Sequence, residues 1–125
     1  MENTKKIKRL PDAELEIMFV VWGMKPPVTS KAVLKELKRP WALATLMTVL
    51  TRLCDKGFLS CEKVGHNNFY SAAVTKEEYK KLEGRSFLER VYSNDITDLV
   101  ASLYESSAIS DSDLTELRSF IDKKI

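Results

Sequence analysis

Residues 44–72 read ATLMTVLTRLCDKGFLSCEKVGHNNFYSA. Leu46, Val49, Leu50 and Leu53 recur at i, i+3, i+4 and i+7, so a helix over about residues 43–56 has one apolar face. The opposite face carries Thr45, Thr48, Thr51 and Arg52, with no acid before Asp55. Threonine is a mediocre helix former, so three of them on one exposed face ask for a reason. Gly57 stands where a helix C-terminus wants a left-handed residue. Beyond it, Phe58, Ser60, Glu62 and Val64 alternate with Leu59, Cys61 and Lys63, the period of a strand. Gly65-His66-Asn67-Asn68 suits a hairpin turn, because Gly and Asn tolerate positive φ, and FYSAAV (69–74) returns as the second strand.

Upstream, DAELEIMFVVW (12–22) predicts a helix. Asp12 follows Pro11 as a candidate N-cap, and Glu14 and Glu16 sit near the start, where the helix dipole favours anions. Gly23 and the Pro26-Pro27 pair end it. Val28 begins a short extended piece. Thr29 or Ser30 caps a second helix, about residues 30–38, which buries Val33, Leu34 and Leu37 and exposes Lys31, Lys35 and Lys38. Arg39-Pro40-Trp41 breaks it, since the residue before proline disfavours helix.

The order is helix, short strand, helix, helix, hairpin, the layout of a winged helix-turn-helix. In that fold the third helix enters the DNA major groove and the hairpin is the wing. The threonine face then has its reason: a hydroxyl and a methyl suit base edges, whereas an acid would be repelled by phosphates.

From residue 75 the texture changes. Thr75-Lys76-Glu77-Glu78 reads as a capping box opening a helix to about residue 92, broken by Ser93-Asn94. Ile96, Leu99, Val100, Leu103 and Tyr104 stripe the next helix. Ser110-Asp111-Ser112-Asp113 reads as a second capping box, and Leu114, Leu117, Phe120 and Ile121 stripe the last. Phe87, Leu88 and Val91 add to these apolar faces. About fifty residues in three helices are too few to bury such faces alone, which points to a dimerisation arm. The reading is mostly α (α+β): a winged helix-turn-helix domain over residues 1–74 and a helical dimerisation arm over 75–125. Phe87, Leu88, Val91, Ile96, Leu99, Val100, Leu103, Leu114, Leu117 and Ile121 are its interface.

Charge agrees. Residues 1–74 hold 12 Lys/Arg against 7 Asp/Glu, and residues 75–125 hold 8 against 11, so +5 faces −3. A basic first part suits a polyanion. No apolar run approaches the ~18 residues of a membrane span, and no apolar signal region follows the basic N-terminus, so the expectation is a cytoplasmic protein without membrane insertion. The two cysteines, Cys54 and Cys61, make no disulfide framework and are expected to pack as small apolar residues. Cys54, Cys61 and His66 fit no zinc spacing. Neither cysteine stands at a helix N-terminus as an activated nucleophile would. No enzyme, metal or cofactor is expected.

AELEIMFVVW (13–22), ATLMTVLTRLCDKGFL (44–59) and FYSA (69–72), with FLERVYSNDITDLVASL (87–103) and LTELRSFI (114–121), resemble the penicillinase-repressor (methicillin-resistance regulator) family of bacterial winged-helix repressors. The likeness covers nearly the whole chain in order. It implies a homodimer on a palindromic double-stranded operator, repressing genes of antibiotic resistance (beta-lactamase type) or a related stress operon. It also implies DNA-reading positions at Ala44, Thr45, Met47 and Thr48; relatives often carry polar or basic residues where Ala44 and Met47 stand. Many members are inactivated when a membrane sensor metalloprotease leads to cleavage of an Asn-Phe type bond in the fifth helix. The matching bond here is Ser102-Leu103, of different chemistry. Copper-responsive relatives have a cysteine-rich tail, which this chain lacks.

Further DNA-contact candidates are Thr29, Ser30 and Lys31, where backbone N–H groups suit phosphate or the residues simply cap, and Lys63, His66 and Asn67 on the wing. Arg52 suits a phosphate or a salt bridge to Asp55 or Glu62. Trp22 and Trp41 are expected in packing. The rival readings are a winged-helix module that binds protein and a ligand-sensing winged-helix repressor with a pocket at the arm.

Overall fold

The computed structural model describes residues 7–125, so the first six residues of the expected N-terminal domain lie outside it. The elements are α1 (Asp12–Trp22), α2 (Ser30–Glu36), α3 (Leu43–Asp55), β1 (Leu59–Val64), β2 (Asn67–Ala72), α4 (Lys76–Tyr92), α5 (Ile96–Glu105) and α6 (Asp111–Lys124). This is a mostly helical winged-helix arrangement followed by C-terminal helices. The chain divides into two compact units, the first ending at Glu83 and the second running from Gly84 to Ile125.

Local chemistry sets the boundaries. Pro11, not Asp12, is the N-cap of α1: its extended backbone presents a carbonyl that accepts the Leu15 N–H at 2.9 Å. Asp12 is instead the first helical residue, where its charge still faces the positive end of the helix. Thr29 caps α2, its Oγ1 accepting the Ala32 N–H at 3.2 Å. That helix stops at Glu36, two residues short of expectation, because Leu37 turns to ψ 135° and packs against the core from extended backbone.

The end of α3 is a complete Schellman motif. Gly57, at φ 87°, donates to the Cys54 carbonyl at 3.1 Å, and Phe58 donates to the Leu53 carbonyl at 2.9 Å. Only glycine takes that left-handed conformation without cost. Leu53 and Phe58, at the two ends of the 2.9 Å bond, are both almost completely buried.

The wing pairs antiparallel from Leu59 with Ala72 to Val64 with Asn67. That register leaves Gly65-His66 as a two-residue turn, so Asn67 and Asn68 belong to β2 and not to the turn. Gly65 sits at φ 65° in the first central position, as a II′ hairpin turn requires. Val28 bridges Tyr70 with N–H···O bonds of 2.8 Å in both directions, so the short extended piece joins the base of the wing.

The core of the first unit gathers Ile17, Met18 and Val21 from α1, Val33 from α2, Leu46, Val49, Leu50 and Leu53 from α3, Phe58 and Leu59, Tyr70 and Val74, with Tyr79 from α4. Trp22 and Trp41 pack on its edge, and the Trp22 Nε1–H donates to the Val74 carbonyl at 2.9 Å. The Leu10 N–H donates to the Tyr79 hydroxyl at 2.7 Å.

The second unit is built differently. Its helices are well capped: Asp95 accepts the Asp98 N–H at 3.0 Å, and Ser110 and Asp113 form a reciprocal capping box. Thr75 and Glu78 form the corresponding box at the start of α4, in the first unit. Ser93, Asn94 and Ser107 take positive φ at the breaks between helices. Yet no residue of 84–125 is buried.

Candidate nucleic-acid interface

The site rests on how α3 is held. Its apolar face is fully engaged, with Leu46, Val49, Leu50 and Leu53 buried. Two glutamates of α1 tie its two ends. Glu14, itself buried, receives the Lys56 ammonium just past the C-terminus of α3. Glu16 accepts the Arg39 Nε–H at 2.8 Å and the Trp41 Nε1–H at 3.4 Å, just before the N-terminus. The Arg39 guanidinium also lies 4.9 Å from the centre of the Trp41 ring, a cation–π contact. A helix fixed at core and both ends presents its outer face in one orientation.

That outer face carries Ala44, Thr45, Met47, Thr48, Thr51 and Arg52, all exposed. Helical spacing puts these residues on one side. No acid lies in the first turn, and Ala42 at the N-cap offers no side-chain acceptor to the first N–H groups. Thr48 Oγ1–H donates to the Ala44 carbonyl at 3.1 Å, and Thr51 Oγ1–H to the Met47 carbonyl at 3.0 Å. Met47 is 40% exposed although apolar.

On the wing, Lys63, His66 and Asn67 are exposed, and so is Val64 beside the turn. In α2, Lys31 is exposed while Thr29 and Ser30 are half-buried. Thr29 acts as the cap, which engages one of the N–H groups an anion would use. Cys54 packs against the core, and burial, then the nearby Cys61 and Asp55, push its thiol pKa up. Cys61 departs from expectation and is exposed. Its cross-strand partner Tyr70 is in the core, but β1 itself buries only Leu59.

None of the candidate interface residues of the C-terminal helices is fully buried. Phe87, Val91, Ile96, Leu117 and Ile121 are exposed; Leu88, Leu99, Val100, Leu103 and Leu114 are half-buried. Ile96, Val100, Leu114, Leu117 and Ile121 line one apolar groove with Tyr104 and Phe120. Ser102 and Leu103 are half-buried inside α5, and their carbonyls accept the N–H groups of Ser106 and Ala108 at 3.0 and 2.9 Å. The bond between them is therefore held in helix. Among the described residues no helix is long and apolar enough to cross a membrane.

Sequence reasoning missed the anchors of α3. Glu14 and Glu16 read as dipole partners of α1, but their ligands lie 42 and 23–25 residues downstream. The one sequence signal was a pair of acids on a helix whose other long residues are apolar. Thr51 was seen on the face but not counted among the contacts, and Val64 on the wing was not singled out.

A family model described as penicillinase repressor matches residues 10–123. A penicillinase repressor of Bacillus licheniformis is 31% identical over 121 residues, covering 95% of this chain and 94% of its own. The methicillin resistance regulatory protein MecI of Mammaliicoccus sciuri is 29% identical over 126 residues, covering 99% and 100%. Among solved structures, the DNA-binding domain of the repressor BlaI aligns with a TM-score of 0.53 at 36% identity, over 61% of this chain and 94% of that one. The monomeric form of Bacillus licheniformis BlaI in complex with the blaP half-operator aligns at 0.50, with the same identity and coverage.

Proposed function

The chain belongs to the penicillinase repressor family, whose members are transcriptional regulators and not enzymes, and on that premise we propose that it represses transcription by binding a palindromic operator as a homodimer. Residues 1–74 bind DNA and residues 75–125 form the dimerisation arm. The observation that carries the reading is the outer face of α3: exposed, free of acid from Leu43 to Cys54 and held at both ends. Ala44, Thr45, Met47 and Thr48 face base edges, with Arg52 on the adjacent backbone. Lys31, beside Thr29 and Ser30, meets phosphate, as do Lys63, His66 and Asn67 on the wing. A relative 36% identical over 61% of this chain has been solved on a half-operator, which supports this placement.

The regulated genes are those of antibiotic resistance, of the beta-lactamase type, or a related stress operon, since homologues of this length carry those names. Induction is cleavage of the arm at Ser102-Leu103, downstream of a membrane sensor metalloprotease. Because both carbonyls are hydrogen-bonded by Ser106 and Ala108 at the C-terminal end of α5, that end has to open before a protease can take the bond as extended chain.

The test is fluorescence anisotropy with a duplex from upstream of the protein's own gene, against a scrambled duplex of the same composition. A specific affinity at least a thousandfold tighter is expected at physiological salt. Equal binding to both would overturn the reading in favour of a protein-binding winged helix.

A further inference from the structure

DNA-reading helices ordinarily discriminate bases with long polar side chains. Arg and Lys bridge guanine O6 and N7, while Asn and Gln bridge adenine N6 and N7. Between Leu43 and Thr51 this chain has none of the four. The remaining hydroxyls are further restricted by the geometry of α3. In this conformation Thr48 gives its hydroxyl hydrogen to the Ala44 carbonyl and Thr51 gives its own to the Met47 carbonyl, so both donors point back into the helix and away from a base acceptor. A threonine tied back to the preceding turn keeps its Cγ2 methyl as the part with no bond inside the helix. Ala44 adds a methyl, and Met47 adds an exposed thioether chain that adapts to an irregular apolar surface.

We infer that Ala44, Met47, Thr48 and Thr51 read the operator half-site by packing methyl groups against thymine C5-methyls in the major groove. The half-site facing α3 is therefore thymine-rich, and these four residues recognise no guanine. The inference rests on the operator-binding reading above and deepens it. Thymine alone presents a methyl in that groove, so an apolar face discriminates thymine from the other three bases by burial, not by hydrogen bonding. Thr45, at the edge of the face, and Arg52, one turn beyond Thr48, are the hydrogen-bond donors left to position the helix.

The experiment uses the full chain and a randomised duplex library, followed by the preferred duplex with each thymine replaced in turn by deoxyuridine. That exchange deletes one methyl and changes no hydrogen-bonding group. Burying one methyl-sized group is worth about 0.8 kcal/mol, or about fourfold in affinity. At two or more thymines per half-site, a loss of about that size is expected. Thr48→Ser keeps the hydroxyl and removes the methyl; it should weaken binding about fourfold per half-site and erase the preference for thymine over uracil at one position. Thr48→Val keeps the methyl and removes the hydroxyl; it should retain both. Ser, Thr and Val have similar helix propensities and the site is exposed, so all three proteins fold alike. The reverse pattern, with serine tolerated and valine not, would make the hydroxyl the reading group and overturn the inference. So would a preferred duplex indifferent to uracil at every position, with operator binding left standing. A library that returns no preferred sequence would overturn both.

Discussion

The Lys56 ammonium, 41% exposed, caps a Glu14 carboxylate that is 9% exposed, so one end of the pair is in solvent and the other in the core. Removing the lysine leaves a buried carboxylate without that ion pair. Lys56→Met should therefore cost about 1–3 kcal/mol, below the range for a fully buried pair because Lys56 is partly hydrated. Arg39→Met, at a more exposed pair with Glu16, should cost about 0–1 kcal/mol. Urea denaturation measures both; equal losses would show that Glu14 is not effectively desolvated.

Lys31→Ala tests the division of labour across the interface. An exposed lysine that meets only phosphate carries no sequence information. Its loss should weaken operator and random DNA by the same factor and flatten the salt dependence by about one unit of slope. If the proposed dimer makes roughly 6–10 phosphate contacts, log K against log salt should have a slope near −5 to −9. A slope near zero would remove the electrostatic basis of the proposal.

Ending the chain at Ser102 deletes the end of α5 and all of α6. The shortened protein should sediment as a monomer and lose most of its operator affinity, because the second half-site contact is then no longer intramolecular. Leu117→Asp with Ile121→Asp checks the same point without truncation, since both residues are exposed in the isolated chain. Unchanged dimerisation in both would assign the arm another task.

Tyr79 supplies a pH signature. Burial, then the Glu83 carboxylate, raises its phenol from the ordinary 10.0 to about 12. The neutral phenol is the form the fold prefers, so its contribution to stability is complete below pH 10 and is lost as pH rises from 10 to about 12. Tyrosinate absorbance should show one residue titrating at that upper limit, and Tyr79→Phe should remove it. The same substitution strips the Leu10 N–H of its acceptor, at a cost of about 1–3 kcal/mol.

What was legible in the sequence was local. The stripe Leu46, Val49, Leu50 and Leu53, the glycine after α3 and both capping boxes are decided by neighbours within a few residues, and all appear in the structure. Registration across the hairpin was less so. Gly65-His66-Asn67-Asn68 holds several turn-forming residues, and strand pairing, not composition, put Asn67 and Asn68 into β2. Cys61 looked like a packing residue because strand periodicity does not say how far a hairpin projects beyond its core. The anchoring of α3 by Glu14 and Glu16 depends on chain brought together over 23 residues or more, and no periodicity records that. The threonine face could be read, but the direction of each hydroxyl could not, and that direction decides what the face can recognise.

The absence of any buried residue in 84–125 carries a consequence for dosage. A segment without an interior of its own has its packing completed by whatever covers it, so its stability follows mass action. Its melting temperature should climb with protein concentration, while that of the first unit, with its own closed core, stays put. In a growing cell, expansion of volume without new synthesis dilutes the repressor. On the proposed homodimer, residues 84–125 would turn that dilution into a graded loosening of tertiary structure, and the level of the protein would become a variable its own fold can sense.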